Sequence, residues 1–241
     1  MGDDSQRAAD VSLLTRGLPY DHYLMQSRQL VLASASPARL RLLWDAGFDP
    51  IVMVSGVDED AVEHTDVADL VETLAVRKAA AVAKHVPSSS VVIGCDSMLS
   101  VDGDVMGKPP TPEVARHYWQ RMRGRDGVLV TGHCVIDVGS GREASAVAST
   151  IVHFGTPTDD ELDAYIGTSE PMKVAGAFTL DGFAGPFVDG IDGDHGNVIG
   201  LSLPLLRRLL ADIEIRIVDL WRRRSGRSKS THRSCSRRWR E

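Results

Sequence analysis

The chain has 241 residues, of which 43% are hydrophobic and 25% charged. This composition is typical of a soluble globular protein with one large domain or two small ones, and no apolar run reaches the ~18 residues of a membrane span. Three cysteines are too few and too scattered for a disulfide framework or a closed zinc site, so we expect a cytoplasmic protein. The net charge of −6 argues against a protein that coats nucleic acid.

The first half of the chain alternates predicted strands and helices. Residues 1–28 lack apolar periodicity and a secretory signal, and we interpret them as a flexible lead-in. A buried strand is predicted at 29–33 and a helix at 38–46, with Ser36 as N-cap and Pro37 at its first position. A second strand is predicted at 50–54 and a long amphipathic helix at 67–85.

The second half continues the alternation. An apolar strand is predicted at 91–95, followed by a hairpin at 98–106 around Asp102-Gly103 and a helix that ends near Met122. Two long strands, 128–138 and 143–154, form a further hairpin, and Thr158 with Glu161 makes a helix capping box. A glycine-rich stretch, 175–200, precedes a last helix at 203–212. The pattern predicts an α/β fold with a mixed central sheet and flanking helices.

Two polar segments follow predicted strands, where α/β proteins usually bind ligands. Ser34, Ser36 and Arg39 stand at a helix start, which suits an anion, although a plain N-cap with a solvated arginine explains the same residues. The acids at 58–60 could hold Mg²⁺ through their oxygens, or they could form a solvated loop.

Three further residues carry charge where charge is unusual. Lys78 falls within the apolar stripe of its helix, so its side chain either extends to solvent or binds an anion. Asp96 follows an apolar strand, and burial of its carboxylate costs free energy unless a metal, a cation or a proton accompanies it. Lys108 lies on a stiff Gly-Lys-Pro turn. Capping of a turn by Asp96, or its pairing with a lysine, remains the alternative. His133, His153 and Cys95 are interpreted as structural residues, with Cys95 a buried free thiol.

Six segments occur in an order that identifies a family. They are LVLASASPARLRLL, VDED, the Lys78-Ala79 pair, GCDSMLSVDGDVMGKP, TGHCVI and EPMKVAGAFTLDGFAGPFVDGIDGDHGNVIGLSL, over residues 29–215. Together they resemble the Maf (septum-formation inhibitor) family of nucleotide pyrophosphatases. The resemblance implies a fold related to the inosine-triphosphate pyrophosphatases. It also implies cleavage of a nucleoside triphosphate to its monophosphate and pyrophosphate, dependent on a divalent metal cation (Mg²⁺ or Mn²⁺).

The resemblance also implies roles for individual residues. Asp96 corresponds to the proton acceptor and Glu59 to its carboxylate partner, and these two are the expected metal ligands. Lys78 and Lys108 correspond to the phosphate-side lysines. The residues expected to bind substrate are Ser34, Ser36, Arg39, Ser97 and Asp181.

Departures from the family pattern affect the choice of base more than the reaction. Ala38 replaces the first of two usual arginines, and Asp181 stands where the dTTP/UTP branch has glutamine. An ionised aspartate accepts hydrogen bonds and cannot donate them. The Ser97 hydroxyl slightly favours the dTTP/UTP branch over 7-methyl-GTP.

Charge divides the chain into unlike parts. Residues 222–241 hold nine of the 27 basic residues and one of the 33 acids, for a net +8; the other 221 residues hold 18 and 32, for −14. We therefore expect a lead-in (1–28), one catalytic domain (29–221) and a basic tail (222–241), with a homodimer left open.

A nucleotide-responsive protein that restrains septum formation is the alternative function. Binding of nucleic acid or a membrane surface by the tail is a third, weaker hypothesis.

Overall fold

A mixed seven-stranded β-sheet forms the centre of the protein in the computed structural model, which describes residues 28–59 and 66–222. The strands are β1 (Gln29–Leu32), β2 (Ile51–Val52), β3 (Ser90–Val101), β4 (Asp104–Met106), β5 (Asp126–Asp137), β6 (Arg142–Phe154) and β7 (Val188–Asp192). The strand order is β2-β1-β3-β5-β6-β7, with β4 paired to β3. Strand β1 runs parallel to both neighbours and all other pairs are antiparallel, so the predicted mixed sheet is confirmed.

Six α-helices surround this sheet in the described part of the chain. They are α1 (Pro37–Asp45), α2 (Val67–Ala83), α3 (Pro112–Met122), α4 (Asp159–Gly167), α5 (His195–Ile199) and α6 (Leu203–Asp212). Ser36 caps α1, and Thr158 with Glu161 forms the predicted capping box of α4. Within residues 28–59 and 66–222, no helix is both long and apolar enough to cross a membrane.

Each face of the sheet has its own hydrophobic core, because side chains alternate along a strand. Leu30 and Leu32 of β1 pack with α1 and α6, whereas Val31 and Ala33 pack with α2. The same alternation along β3 places Ile93 on the α6 face and Asp96 on the α2 face. A third core gathers around the fully buried Trp119 of α3 and includes Leu99 and Val101 at the end of β3.

Helix α2 lies unusually close to the sheet. A Cβ atom added to Gly132 of β5 would lie 2.1 Å from the carbonyl oxygen of Val71, and one added to Gly94 of β3 would lie 2.2 Å from that of Ala75. Only glycine leaves room for such an approach. The backbone of α2 therefore rests directly on the backbones of β3 and β5, and Lys78, one turn beyond Ala75, lies low over the sheet.

Two parts of the chain differ from the prediction. The polar residues 96–97 do not separate the strand predicted at 91–95 from the hairpin predicted at 98–106; β3 runs through them to Val101, because β5 pairs with it across Asp96↔Gly132 and Ser97↔Thr131. The glycine-rich stretch holds elements that we did not predict, namely β7 and α5. Strand β7 pairs with the end of β6, and the Asp194 side chain caps α5. The predicted lead-in and tail lie outside the described residues, apart from Arg28 and Arg222.

His133 joins β5 to the start of α6 through a fully buried ring. Its Nε2 accepts a hydrogen bond from the backbone N–H of Ser202 at 2.8 Å, which leaves Nδ1 to donate to the Thr131 carbonyl at 3.0 Å. Burial, assisted by the charge of Arg39, lowers the pKa of His133 from 6.5 to about 4. The ring is thus a neutral structural group, as the sequence suggested.

We expect the protein to lose stability as the pH falls from 6.5 to 4. The unfolded chain takes up a proton at His133 near pH 6.5, while the folded protein resists it until about pH 4. The contribution is complete above pH 6.5, and about 3 kcal/mol of it is lost by pH 4. Urea unfolding between pH 7.5 and 4 measures it. His133→Gln should flatten the pH dependence, whereas His117→Gln, at an exposed position, should not. Parallel curves for His133→Gln and the unaltered protein would disprove this assignment.

Candidate active site

A lysine lies between two carboxylates where α2 meets β3. The Nζ atom of Lys78 is 2.6 Å from Oδ1 of Asp96 and 2.6 Å from Oε1 of Glu59. Lys78 and Asp96 are 7% and 5% exposed, whereas the Glu59 side chain is 42% exposed. The structure thus brings together three of the four residues that we expected to be catalytic, and one side of the cluster is open to solvent.

Electrostatics keep Glu59 ionised. Partial burial acts to raise the pKa of its carboxyl group, but the hydrogen bond from Lys78 and the charges of Lys78, Lys108 and Arg39 outweigh burial, so the pKa lies below its ordinary value of 4.5. Lys108 itself is exposed, on the segment after β4. Its influence on Glu59 places its positive charge within reach of the cluster.

The two carboxylate oxygens of Asp96 have different surroundings. Oδ1 accepts a hydrogen bond from Lys78, whereas Oδ2 is buried and has no hydrogen-bond partner among the described residues. An unsatisfied carboxylate oxygen inside a protein costs free energy comparable to its lost hydration. Oδ2 is therefore available to a water molecule, a cation or a substrate group.

The donor set fits a hard divalent cation only in part. Residues 28–59 and 66–222 contain no group of three or more His, Cys, Asp or Glu side chains that could hold a metal ion. Mg²⁺, however, is commonly held by one or two carboxylates together with substrate phosphates. Oδ2 of Asp96 and the exposed carboxylate of Glu59 can supply these ligands. Asp60, the last acid of the predicted cluster, lies outside the described residues.

The start of α1 lies beside the same strand. Oγ of Ser34 accepts hydrogen bonds from the backbone N–H of Ser36 and from Arg39, and Oγ of Ser36 accepts from the backbone N–H of Arg39. The Arg39 guanidinium also donates to the carbonyl of Cys95 and to Oγ of Ser97, the two neighbours of Asp96. The predicted anion-binding residues therefore adjoin the carboxylate cluster.

Sequence reasoning missed two polar residues that extend this network. Oγ of Ser97 lies 2.9 Å from Oγ1 of Thr131, which donates to the carbonyl of Asn197. The Asn197 side chain donates in turn to Oγ1 of Thr150. Both residues lie within family segments quoted above, TGHCVI and the long glycine-rich one, but neither carries a charge that would single it out. Strand register could have found Thr131, which lies opposite Ser97 on the neighbouring strand.

Asp181 stands apart from this arrangement. It is exposed, on the loop between two short 3₁₀ turns, and no contact found among the described residues joins it to Lys78 or Asp96. The Cys95 thiol is free and buried, as predicted, and burial raises its pKa to about 11, which disfavours the reactive thiolate form. The roles predicted for Asp181 and the other site residues remain predictions.

Comparison with known proteins identifies the family. A family model described as "Maf-like protein" matches residues 29–213, which include every site residue discussed above. The chain belongs to the Maf family. The Maf match lies within the segment 29–221 that we expected to form the catalytic domain.

Curated relatives of this Maf chain have closely similar sequences. A protein named nucleoside triphosphate pyrophosphatase from Streptomyces coelicolor is 61% identical over 195 residues, which cover 80% of this chain and 95% of the relative. A protein of the same name from Salinispora tropica is 53% identical over 208 residues, or 85% and 90% of the two chains. A solved nucleoside-triphosphatase / dITP/XTP pyrophosphatase from Mycobacterium abscessus is 18% identical, with a TM-score of 0.33 over 52% of this chain and 72% of that one, too low for a structural argument.

Proposed function

We propose that the protein hydrolyses a nucleoside triphosphate between its α- and β-phosphates, releasing the nucleoside monophosphate and pyrophosphate. The observation that carries the proposal is the buried carboxylate of Asp96, with one oxygen bound by Lys78 and the other unpartnered among the described residues. The names of relatives up to 61% identical support the same reaction. The net charge of −14 on residues 1–221 is compatible with binding a triphosphate, because Lys78, Lys108 and Arg39 supply positive charge near the carboxylates.

In the proposed reaction, a water oxygen forms a bond to the α-phosphorus while the bond from that phosphorus to the bridging oxygen breaks. Asp96 accepts the proton that the water loses, and pyrophosphate departs with the bond's electron pair. Lys78 holds Asp96 in place, and Lys78 and Lys108 stabilise the charge that develops on the phosphates. The hydroxyls of Ser34 and Ser36, at the positive end of the α1 dipole, donate to phosphate oxygens.

Asp96 and Glu59 would hold the divalent metal cation that the family resemblance implies. When bound, Mg²⁺ or Mn²⁺ would neutralise phosphate charge and polarise the phosphoryl group. The donor set supports this assignment, because two carboxylates and a substrate phosphate suit such an ion. For the base, we propose dTTP or UTP ahead of 7-methyl-GTP, on the family resemblance alone, since Ser97 keeps a hydroxyl where the dTTP/UTP branch commonly has threonine.

A panel of nucleotides tests the proposal. The full chain with Mg²⁺ or Mn²⁺ is incubated with standard and modified nucleoside triphosphates, and pyrophosphate, monophosphate and orthophosphate are measured separately. We expect equal amounts of pyrophosphate and monophosphate from at least one nucleotide, without orthophosphate. No turnover of any nucleotide would contradict the proposal. Tight nucleotide binding without turnover would instead favour the nucleotide-responsive binding protein.

A further inference from the structure

The Arg39 side chain is almost fully occupied by the protein itself. Its Nε–H donates to the Gly200 carbonyl at 2.7 Å, and Nη1 donates to Oγ of Ser34 at 3.1 Å and to the Cys95 carbonyl at 3.0 Å. Nη2 donates to Oγ of Ser97 at 2.8 Å. Four N–H groups of the guanidinium are thereby used, which leaves one. The residue is 9% exposed.

We propose that Arg39 is a positioning residue for Asp96 and does not bind the substrate phosphates. This inference rests on the proposed function and departs from the substrate-binding role that the family resemblance implies. Two of the four hydrogen bonds hold Cys95 and Ser97, the residues on either side of Asp96 in β3. The other two join this strand to Ser34, before α1, and to Gly200, after α5. Arg39 thus fixes the backbone from which the proposed proton acceptor projects.

The direction of the hydrogen bonds supports this role. A guanidinium can only donate, so Oγ of Ser97 accepts from Arg39 and has one proton of its own to give. That proton points to Oγ1 of Thr131, whose own proton goes to the Asn197 carbonyl. The Ser97 hydroxyl is therefore committed within a relay from α1 through β3 and β5 to α5, and its donor is not free for a substrate.

The same reasoning assigns phosphate recognition to other groups. Oγ of Ser34 accepts from Arg39 and from the backbone N–H of Ser36, so both of its lone pairs are engaged. The Ser34 hydroxyl proton has no acceptor among the described residues, and the two accepted bonds fix its direction. A hydroxyl held in this way can donate to a phosphate oxygen. Arg39 then contacts the anion site only through Ser34 and adds its positive charge from a distance, while Lys108 supplies exposed positive charge.

Separate measurement of binding and turnover tests the inference. In Arg39→Lys, a single ammonium group cannot reproduce four fixed donors, so Asp96 is misplaced while the positive charge remains. We expect kcat for the best nucleotide to fall about 10²-fold, while KM and the Kd for inorganic pyrophosphate change less than about threefold. Arg41→Lys, at an exposed position on the same helix, should leave all three unchanged. A tenfold or larger rise in the pyrophosphate Kd of Arg39→Lys would overturn the proposal.

A second variant keeps the test decisive if Arg39→Lys does not fold. Ser97→Ala retains the arginine and removes the hydroxyl bound by Nη2; kcat should fall roughly tenfold with KM unchanged, and Ser97→Thr should restore it. Wild-type kcat in Ser97→Ala would refute the positioning role. If the unaltered chain releases no pyrophosphate, the proposed function fails. If it does release pyrophosphate but Arg39→Lys binds pyrophosphate tenfold more weakly, the positioning role alone fails.

Discussion

Replacement of Asp96 by asparagine is expected to lower kcat for pyrophosphate release by about 10³-fold, within the range for loss of a general base. The substitution keeps the size of the side chain and an oxygen for Lys78, but an amide cannot accept the proton of the attacking water. Steady-state rates at saturating nucleotide measure the effect, and thermal unfolding checks that the variant is folded. The fold should survive, because Lys78 keeps its ion pair with Glu59 at 2.6 Å.

The matched control for this variant is Asp45→Asn, which makes the same chemical change at the last residue of α1, where the side chain is exposed. We expect its kcat to stay within about twofold of the unaltered protein, since surface substitutions have small effects. A kcat for Asp96→Asn within threefold of wild type would exclude Asp96 as the proton acceptor and would leave the Lys78 contact as a structural ion pair.

Gly132→Ala is expected to destabilise the protein by about 3 kcal/mol and to lower Tm by roughly 10 °C. The new methyl group would lie 2.1 Å from the carbonyl oxygen and 2.3 Å from the carbonyl carbon of Val71, and neither is a flexible side-chain atom that could move aside. Helix α2 would have to move away from the sheet. Lys78 would move with it, so pyrophosphate release should also fall. Thermal and urea unfolding measure the change in stability.

Gly167→Ala provides the comparison. This glycine lies in α4, and an added Cβ meets nothing within 4 Å, so alanine should leave stability unchanged or raise it by roughly 0.5–1 kcal/mol. If Gly132→Ala were as stable as Gly167→Ala, the close contact between α2 and β5 would not exist in the folded protein.

The elements of the fold could largely be predicted from local signals. Ser36 before Pro37 marks the start of α1, and the last helix, 203–212, is found at the predicted residues. The continuity of β3 could not be predicted, because it depends on pairing with a strand more than 30 residues away. A polar pair such as Asp96-Ser97 locally predicts the end of a strand. The hydrogen bonds of the partner strand β5 keep the backbone extended through this pair.

The charged part of the site was also accessible from the sequence. Lys78 interrupts an apolar stripe and Asp96 follows an apolar run, and such charges need partners when they are buried. The role of Arg39 could not be predicted from the sequence. Its partners include the backbone carbonyls of Cys95 and Gly200, which are distant in sequence, and every residue type has a backbone carbonyl. Hydrogen bonds to backbone carbonyl oxygens therefore require no particular residue at the acceptor position, and no sequence pattern indicates them.

The glycine contacts under α2 have a consequence for how the protein can vary. Side-chain packing normally sets the spacing between a helix and a sheet, so each core substitution shifts the helix slightly. Here the closest approach of α2 to the sheet is between backbones, at Gly94 and Gly132, and side chains pack around these two points. We therefore expect exchanges among neighbouring core residues such as Val82 and Val92 to leave the distance of α2 from Gly94 and Gly132 almost unchanged. Such exchanges should therefore also leave the 2.6 Å separation between Lys78 and Asp96 almost unchanged.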